Sequence, residues 1–335
     1  MSSRTRYFLI ASVLVVVVGL CTGLVAYYNG NLPRGAAAVR LPELGYVPAD
    51  ATALAYADVK DIMASEFRQK LREVMPTGDQ KDRLLAETGI DIEHDIDSVL
   101  AGLGHGGTDP RGALILFRGR FDSARIEALA AQHGAVAEQY KGKRLLVAPQ
   151  AAPAVAAGPA DSGTQAIAFL EPGLLAVGSV GELRQAIDTG AGAAGLAANG
   201  PLMALVTGAQ RSGNAWIVGR LDSVTSQPFL PDQIRDQLPA LEWFTISADV
   251  DRGVNGVIRA DARDEQAGEQ ARGVVNGALS AARLLAGRDA RLDALLNSLQ
   301  VGGAGKTTEI AFQLAPEMLD MMKGLPMGQM PPPAH

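Results

Sequence analysis

An uncharged, proline-free run of apolar residues, Phe8–Tyr28, constrains this chain more strongly than its other features. A helix of about 20 residues spans the roughly 30 Å hydrocarbon core of a bilayer and satisfies its own backbone hydrogen bonds there. Arg4 and Arg6 precede the run, and the next cation is Arg34. The positive-inside rule therefore predicts a single transmembrane helix with residues 1–7 in the cytoplasm and the rest of the chain across the membrane.

Two other kinds of N-terminal signal also contain an apolar run. A cleaved signal peptide has an apolar core of about 7–15 residues, which is shorter than this one, and Leu24 stands at the −3 position of a cleavage site after Ala26. A lipoprotein signal would end at Cys21, but Leu20 stands where a small residue is required. We expect an uncleaved anchor in the inner (cytoplasmic) membrane that contacts the lipid bilayer through Phe8–Tyr28. The C-terminal domain is then periplasmic or otherwise extracytoplasmic.

The charge balance and the cysteine content exclude several functions. Thirty basic and 36 acidic residues give a formal net charge of −6. Nucleic acid and anionic lipid surfaces both need a basic face, so we expect neither as a partner. The only cysteine of the sequence, Cys21, lies in the apolar run, which leaves the exported part without a disulfide or a thiolate.

The chain after the anchor is predicted to be an α+β protein with antiparallel sheets packed on helices. It divides into a stalk at 29–45, a first half at 46–190, a second half at 200–322 and a disordered tail at 323–335. The first half contains a mobile Ala/Pro/Gly-rich loop at 149–165, and the Gly/Ala-rich stretch 190–200 marks the boundary between the halves.

Short polar signals predict where several helices and turns begin. Asp58 and Asp122 stand at N-cap positions, and Ser179 with Glu182 has the spacing of a capping box for a helix over Val180–Thr189. Further helices are predicted over Gln80–Thr88, Pro201–Gly208, Asp264–Ala286 and Asp289–Leu299. Hairpin turns are predicted at Lys141-Gly142, at Glu171–Gly173 and at Asp251–Gly253.

A short internal echo raises the hypothesis that the two halves arose by duplication. Gly119–Ser123 reads Gly-Arg-Phe-Asp-Ser, and Gly219–Ser223 reads Gly-Arg-Leu-Asp-Ser. Both follow an apolar strand, and Ala57–Asp61 is a looser version of the same pattern. Strand ends often look like this, so unrelated halves remain the alternative.

The segment Gly303–Thr308 looks like the end of a phosphate-binding loop, but its context does not fit. That motif needs a glycine at the position of Gln300 and a helix after the loop. Glu309–Leu314 instead alternates polar and apolar residues, which is typical of a strand. We expect a glycine-rich hairpin turn with Lys306 exposed, and no nucleotide as a partner.

The acidic stretch Asp91–Asp97 and the four histidines are the remaining candidates for a metal site. A calcium-binding loop counted from Asp91 would need glycine at Ile96 and glutamate at Gly102, so this stretch is interpreted as a capping segment, with a loose surface calcium site as the alternative. No two histidines are four residues apart; they are His94, His105, His133 and His335. A zinc site assembled from distant residues stays open.

Ser179 and the two tryptophans have structural explanations. Val177 stands where the nucleophile motif Gly-x-Ser-x-Gly requires glycine, and the capping role explains Ser179 without catalysis. Trp216 and Trp243 lie on apolar strand segments and are expected in the core. The sequence therefore names no catalytic residue, no cofactor-binding residue and no metal ligand.

Three segments, Val47–Tyr56, Ala168–Gly178 and Asn214–Val218, resemble a group of uncharacterised bacterial single-pass envelope proteins. These proteins are built from α+β repeats of a domain of unknown function, and the resemblance implies an anchored, exported, two-part protein without catalytic residues. We expect a non-enzymatic binding or interaction module of the bacterial envelope, with an envelope protein as the partner. The alternatives are an extracytoplasmic hydrolase with a dispersed Asp/Glu/Ser site and a protein that binds lipid or another apolar ligand.

Overall fold

The computed structural model describes residues 41–74, 89–104, 113–149, 164–221, 241–286 and 296–317. The predicted anchor, the predicted helix Gln80–Thr88, most of the loop 149–165 and the tail 323–335 lie outside the described residues. Within these ranges, no helix combines the length and the apolar character needed to cross a membrane.

The described residues form one 12-stranded antiparallel sheet with helices packed on it, which confirms the predicted α+β class. The strands are β1 (Ala51–Asp58), β2 (Ile96–Gly104), β3 (Ala113–Gly119), β4 (Val136–Tyr140), β5 (Lys143–Val147), β6 (Gln165–Glu171), β7 (Leu174–Ser179), β8 (Ala215–Arg220), β9 (Leu241–Val250), β10 (Val254–Ala262), β11 (Gln300–Gly302) and β12 (Thr307–Leu314). The α-helices are α1 (Val59–Ala64), α2 (Glu66–Val74), α3 (Ile92–Asp95), α4 (Ser123–Gln132), α5 (Val180–Gly190), α6 (Gly200–Ala209) and α7 (Glu265–Ala286). Two 3₁₀ helices cover Pro42–Tyr46 and Leu196–Ala198.

The predicted caps begin their helices as expected. Asp58 accepts a hydrogen bond from the Asp61 amide at 3.0 Å, and Asp122 accepts one from the Arg125 amide at 3.0 Å. At α5 both halves of the Ser179/Glu182 capping box are formed. Each bond satisfies an amide of the first helical turn that has no partner inside the helix.

The predicted tight turns are also present. Lys141 and Gly142 both have positive φ, 46° and 78°, as a two-residue turn between β4 and β5 requires. Gly173 has φ of 76° between β6 and β7, and the last described hairpin places Gly303 and Gly305 at positive φ between β11 and β12.

The sheet contains two series of strands that follow the same order. Its spatial order is β11-β12-β10-β9-β8-β1-β2-β3-β7-β6-β5-β4. In the first series three consecutive strands (β1, β2, β3) lead to helix α4, and the hairpin β6–β7 returns to pair with β3. In the second series β8, β9 and β10 lead to α7, and the hairpin β11–β12 returns to pair with β10. The first series has β4 and β5 in addition.

The backbone contacts of the two series correspond as well. The Gly119 amide at the end of β3 donates to the Gly173 carbonyl at 2.9 Å, and the Ala262 amide at the end of β10 donates to the Lys306 carbonyl at 2.9 Å. Asp122 caps α4, and Asp264 caps α7 through the Ala267 amide at 2.9 Å. In this correspondence β8 matches β1. The sequence echo between Gly119–Ser123 and Gly219–Ser223 instead compares the end of β3 with the end of β8. These two strands do not correspond in the sheet.

The central pair β1–β8 joins the two series into one sheet. The two strands are antiparallel, with Ala53 opposite Gly219 and Ala57 opposite Ala215. A β-carbon on Gly219 would lie 2.5 Å from the Ala53 β-carbon, so only glycine allows this approach. The main core cluster extends over both series because it contains Leu54 and Leu100 as well as Trp216 and Val218.

Residues 195–199 of the predicted boundary stretch 190–200 contact the segment that leads into β1, whereas 190–194 are exposed. Gly195 forms a β-bridge with Pro48, and the Leu196 amide donates to the Val47 carbonyl at 2.9 Å. The Leu196 side chain is 1% exposed, and the Asn199 side chain donates to the carbonyl of Ala51. The stretch therefore connects the two series through contacts and is not an extended linker.

Candidate functional site

A cluster of four polar side chains binds the first described residues of the chain to the sheet. Glu43, in the 3₁₀ helix Pro42–Tyr46, accepts a hydrogen bond of 2.6 Å from Nε of Arg118 on β3. Nη1 of Arg118 also lies 3.4 Å from Oε2 of Glu171, whose other oxygen accepts a 2.7 Å hydrogen bond from the Tyr46 hydroxyl. We call these four residues, Glu43, Tyr46, Arg118 and Glu171, the clamp.

The clamp lies partly inside the protein. Glu43 is 4% exposed, whereas the side chains of Arg118 and Glu171 are 24% and 44% exposed. Leu41, Leu44 and Tyr46 pack against the main core, and Val47 is 1% exposed. Residues 41–45, predicted as the end of the stalk, therefore belong to the fold.

The charges of the clamp support one another. Burial, and then the hydrogen bond to Glu171, raise the pKa of Tyr46 to about 12. The hydrogen bond from Tyr46 is the largest effect on Glu171 and lowers the pKa of its carboxyl, with Arg118 acting in the same direction. Burial is the largest single effect on Arg118 and opposes its charge, but the hydrogen bonds and charges of Glu43 and Glu171 together outweigh burial, so the net pKa of Arg118 is raised. The clamp thus places two acidic side chains around one guanidinium, an arrangement that holds chain segments together.

A small cavity lies where the chain enters β1. It measures about 20 Å³, which is room for about one water molecule, and its polar lining comes from Asp50, Glu182 and Gln185. Glu182 already accepts a 2.7 Å bond from the Ser179 amide, and Gln185 donates to Asp50 at 3.2 Å. These groups are engaged in holding α5 against the strand entrance, and the space is too small for an organic substrate.

The acidic stretch Asp91–Asp97 forms the capping segment that the sequence predicted. Asp91 accepts from the Glu93 amide at 3.0 Å and lies 2.9 Å from Nδ1 of His94. Glu93 pairs with Arg68 of α2 at 3.2 Å. Asp91, Glu93 and His94 could together approach one cation. Their caps and ion pairs account for the arrangement without one.

The glycine-rich segment Gly303–Thr308 is a hairpin turn, as predicted. β12 begins at Thr307, so a strand stands where a phosphate loop needs a helix. Arg272 of α7 donates to the carbonyls of Gly305 and Thr307 at 2.9 and 2.7 Å, and Lys306 is exposed. The carbonyl oxygens of the turn therefore face a cation of the protein, whereas a phosphate site presents amides.

The remaining candidates have the structural roles expected of them. Ser179 is the N-cap of α5, and Trp216 is 2% exposed and stacks on Tyr56 at 5.4 Å between ring centroids. Trp243 packs partly buried against the main core. His133 is exposed at the end of α4, whereas His105 and His335 lie outside the described residues.

The sequence did not reveal the clamp. Glu43 and Arg118 are 75 positions apart, and Tyr46 and Glu171 are 125 apart. The one local signal was Pro42, which favours the first turn of a helix. It indicates a turn but not its partners.

Comparisons with known proteins give no family for this chain. No family model matches it, and no curated protein does. The solved structures include a similar backbone in crystal form I of TP0453, with a TM-score of 0.47 and 9% sequence identity over 84% of this chain and 97% of that one. The resemblance to single-pass envelope proteins stays a prediction.

Proposed function

We propose that this chain is a membrane-anchored, extracytoplasmic protein of the bacterial envelope whose folded part is a non-enzymatic interaction module. The anchor is Phe8–Tyr28, with the N-terminus in the cytoplasm. The observation that carries the proposal is the clamp. It ties the end of the predicted stalk, at Glu43 and Tyr46, to strands β3 and β6 of the sheet.

Because the first described residues are bound to the sheet, the orientation of the domain relative to the membrane is restricted. A free tether would let a domain rotate in all directions, whereas only the residues before Leu41 can act as a tether here. A restricted orientation benefits a module that presents one surface to a partner in the same membrane. An enzyme that meets diffusing substrates gains less from it.

The polar clusters support an interaction module rather than a hydrolase. The charged groups of the clamp, of the capping segment at Asp91 and of the turn held by Arg272 bond to neighbouring elements of the fold. A hydrolytic site needs a nucleophile and a base free to meet substrate.

We also propose that the two halves arose by duplication. This proposal is supported by the repeated strand order and by the matched contacts at the ends of β3 and β10. The sequence echo alone would be too weak to support it.

Topology and partner binding can be tested separately. Alkaline phosphatase fused after His335 should be active, and it should lose activity when Phe8–Tyr28 is deleted, because the fusion then stays in the cytoplasm. An inactive fusion to the intact chain would contradict the orientation.

The partner test uses crosslinked membranes that contain the wild-type chain or the clamp variant Arg118→Gln. We expect one specific envelope protein with the wild type and a several-fold lower yield with the variant, because the domain is no longer held in place. The control is Arg144→Gln, which removes an ion pair with Glu127 and leaves all four clamp residues in place. Failure to recover any specific partner with the wild type would count against the proposal.

A further inference from the structure

The segment Leu41–Tyr46, which we call the strap, is bound to the fold through its side chains. The Leu44 amide donates to the Leu41 carbonyl at 3.1 Å, and the Val47 amide donates to the Leu44 carbonyl at 3.2 Å, so neither bond reaches another element. Among the described residues, no backbone group of the strap bonds to a strand or to another helix. Movement of the strap would therefore break no strand pairing.

Backbone attachment of the chain to the rest of the fold begins at Val47. The Leu196 amide donates to the Val47 carbonyl at 2.9 Å, and Pro48 forms a β-bridge with Gly195. The ladder of β1 with β2 then starts at Ala51. Segments held by few backbone bonds open more easily than the strands of a sheet. The change of contacts at Val47 makes this residue a hinge between the strap and β1.

The surface under the strap is shaped to receive it. A β-carbon on Gly190 of α5 would lie 2.8 Å from Cδ1 of Tyr46, so glycine allows the ring to lie directly on the helix backbone. The Tyr46 hydroxyl donates to Glu171 at 2.7 Å, and Leu41 and Leu44 pack against the main core. These side-chain contacts hold the strap closed.

One group of the strap is under-satisfied in the closed position. Oε1 of Glu43 accepts the hydrogen bond from Arg118, but Oε2 is buried and has no hydrogen-bond partner among the described residues. A buried acceptor without a partner has lost the bonds that it would make with water. Opening of the strap returns this oxygen to water and so offsets part of the contacts that are lost.

Opening also leaves the charge of Arg118 compensated. Glu171 belongs to β6, which is part of the sheet and does not move with the strap. When Glu43 leaves, the guanidinium keeps Glu171 at 3.4 Å and becomes more accessible to water. Separation of the strap therefore creates no buried charge without a partner, which is the costly outcome of breaking an ion pair.

We propose that the strap opens at Val47 as one unit while the sheet stays folded, and that opening uncovers Arg118 and Glu171. The closed strap fixes the domain to its predicted tether. The open strap adds its six residues, or about 20 Å, to that tether. The domain then has a held and a released state. This inference goes beyond the proposed function, and opening itself depends on neither the anchor nor a partner.

Distances between two spin labels in the full-length protein report the opening. In a Cys21→Ser background, one label is attached to Gly45→Cys, where a β-carbon meets nothing within 4 Å, and the other to Ala204→Cys on the exposed side of α6. A reference pair joins Ala204→Cys to Asp50→Cys, an exposed position after the hinge. Double electron–electron resonance should give one main distance for each pair in the otherwise unchanged protein.

Arg118→Gln should add a longer distance to the Gly45 pair, with a fraction at least threefold above that without the substitution, because the strap loses its ion pair. The Asp50 pair should stay unchanged. The control Arg144→Gln should change neither pair, since it removes only the contact with Glu127. Broadening of both pairs together would show that opening requires unfolding of the sheet, and an unchanged Gly45 pair would show that the strap does not open. Either result would overturn the proposal.

Tyr46→Phe tests the same opening with a smaller change, should Arg118→Gln fail to fold by circular dichroism. It removes only the hydroxyl that donates to Glu171. The fraction of the longer distance in the Gly45 pair should exceed that of Arg144→Gln and stay below that of a folded Arg118→Gln. A fraction equal to that of the control would contradict the proposal.

Discussion

A few charged side chains decide how the first described residues attach to the sheet. Arg118 lies between Glu43 and Glu171, and the nearly buried Glu43 provides the shorter of its two ion pairs. A buried ion pair contributes little compared with an apolar replacement, but removal of one partner leaves an uncompensated charge. The clamp is therefore sensitive to single substitutions.

Glu43→Gln should lower the free energy of unfolding by about 1–3 kcal/mol, because Arg118 loses its charge-assisted bond in a partly buried place. Chemical denaturation of the full-length protein in detergent measures the loss. The control Glu127→Gln breaks the more exposed pair with Arg144 and should cost less than about 1 kcal/mol. Equal losses in the two variants would show that the clamp does not hold the fold.

Two N-cap aspartates should respond to pH in opposite directions. Burial raises the pKa of Asp58, so the folded state resists its charge and loses stability as pH rises from the unfolded pKa through the folded pKa. The bond from the Ala267 amide lowers the pKa of Asp264, so its contribution is present above the unfolded pKa and is lost as pH falls through the folded pKa.

Asparagine preserves a cap without the charge, so it isolates this effect. Relative to wild type, Asp58→Asn should gain stability between pH 3 and pH 7, whereas Asp264→Asn should lose it over the same range. Melting temperatures of both variants and wild type at the two pH values give the comparison. The same sign for both variants would refute the assignment.

Individual elements were predictable where their signals are local. Asp58, Asp122, Ser179 and Asp264 each bond to an amide three residues away, so a short stretch of sequence contains both partners. The pairing of β1 with β8 joins residues more than 150 positions apart, and their sequences carry no mark of it. For the same reason the sequence divides the chain into two halves but does not indicate that the strands of both halves form one sheet.

Ser179→Ala should cost about 1 kcal/mol, because α5 loses the acceptor for the Glu182 amide and its capping box. Thermal unfolding measures the effect. Ser123→Ala is the matched control: Ser123 is the exposed first residue of α4, next to the cap Asp122, and should change stability by less than about 0.5 kcal/mol. A control loss as large as that of Ser179→Ala would contradict the capping role.

The whole molecule depends on the central pair of strands. The main core contains Leu54, Leu100, Trp216 and Val218 from strands of both series, and the packed stretch 195–199 adds contacts at the same place. The two series should therefore unfold together. The repeated order of strands could not be predicted from the sequence, because the sequence echo matches the ends of β3 and β8, which do not correspond in the sheet.

Gly219→Ala tests this coupling, because its β-carbon would meet the Ala53 β-carbon at 2.5 Å. We expect a loss of more than about 2 kcal/mol, seen equally by tryptophan fluorescence and by far-ultraviolet circular dichroism. The control Gly208→Ala in α6 meets nothing within 4 Å and should stabilise the helix by about 0.5–1 kcal/mol. Two separate transitions in Gly219→Ala would show that the series unfold independently.

The position of β1 has a mechanical consequence. It is the first strand after the predicted anchor, yet it lies in the interior of the sheet and is hydrogen-bonded to β2 on one side and β8 on the other. A pull transmitted through the predicted anchor would load two ladders of hydrogen bonds at once. An edge strand would be peeled away bond by bond under the same force. The predicted tether thus leads into a strand that is held by a neighbour on each side.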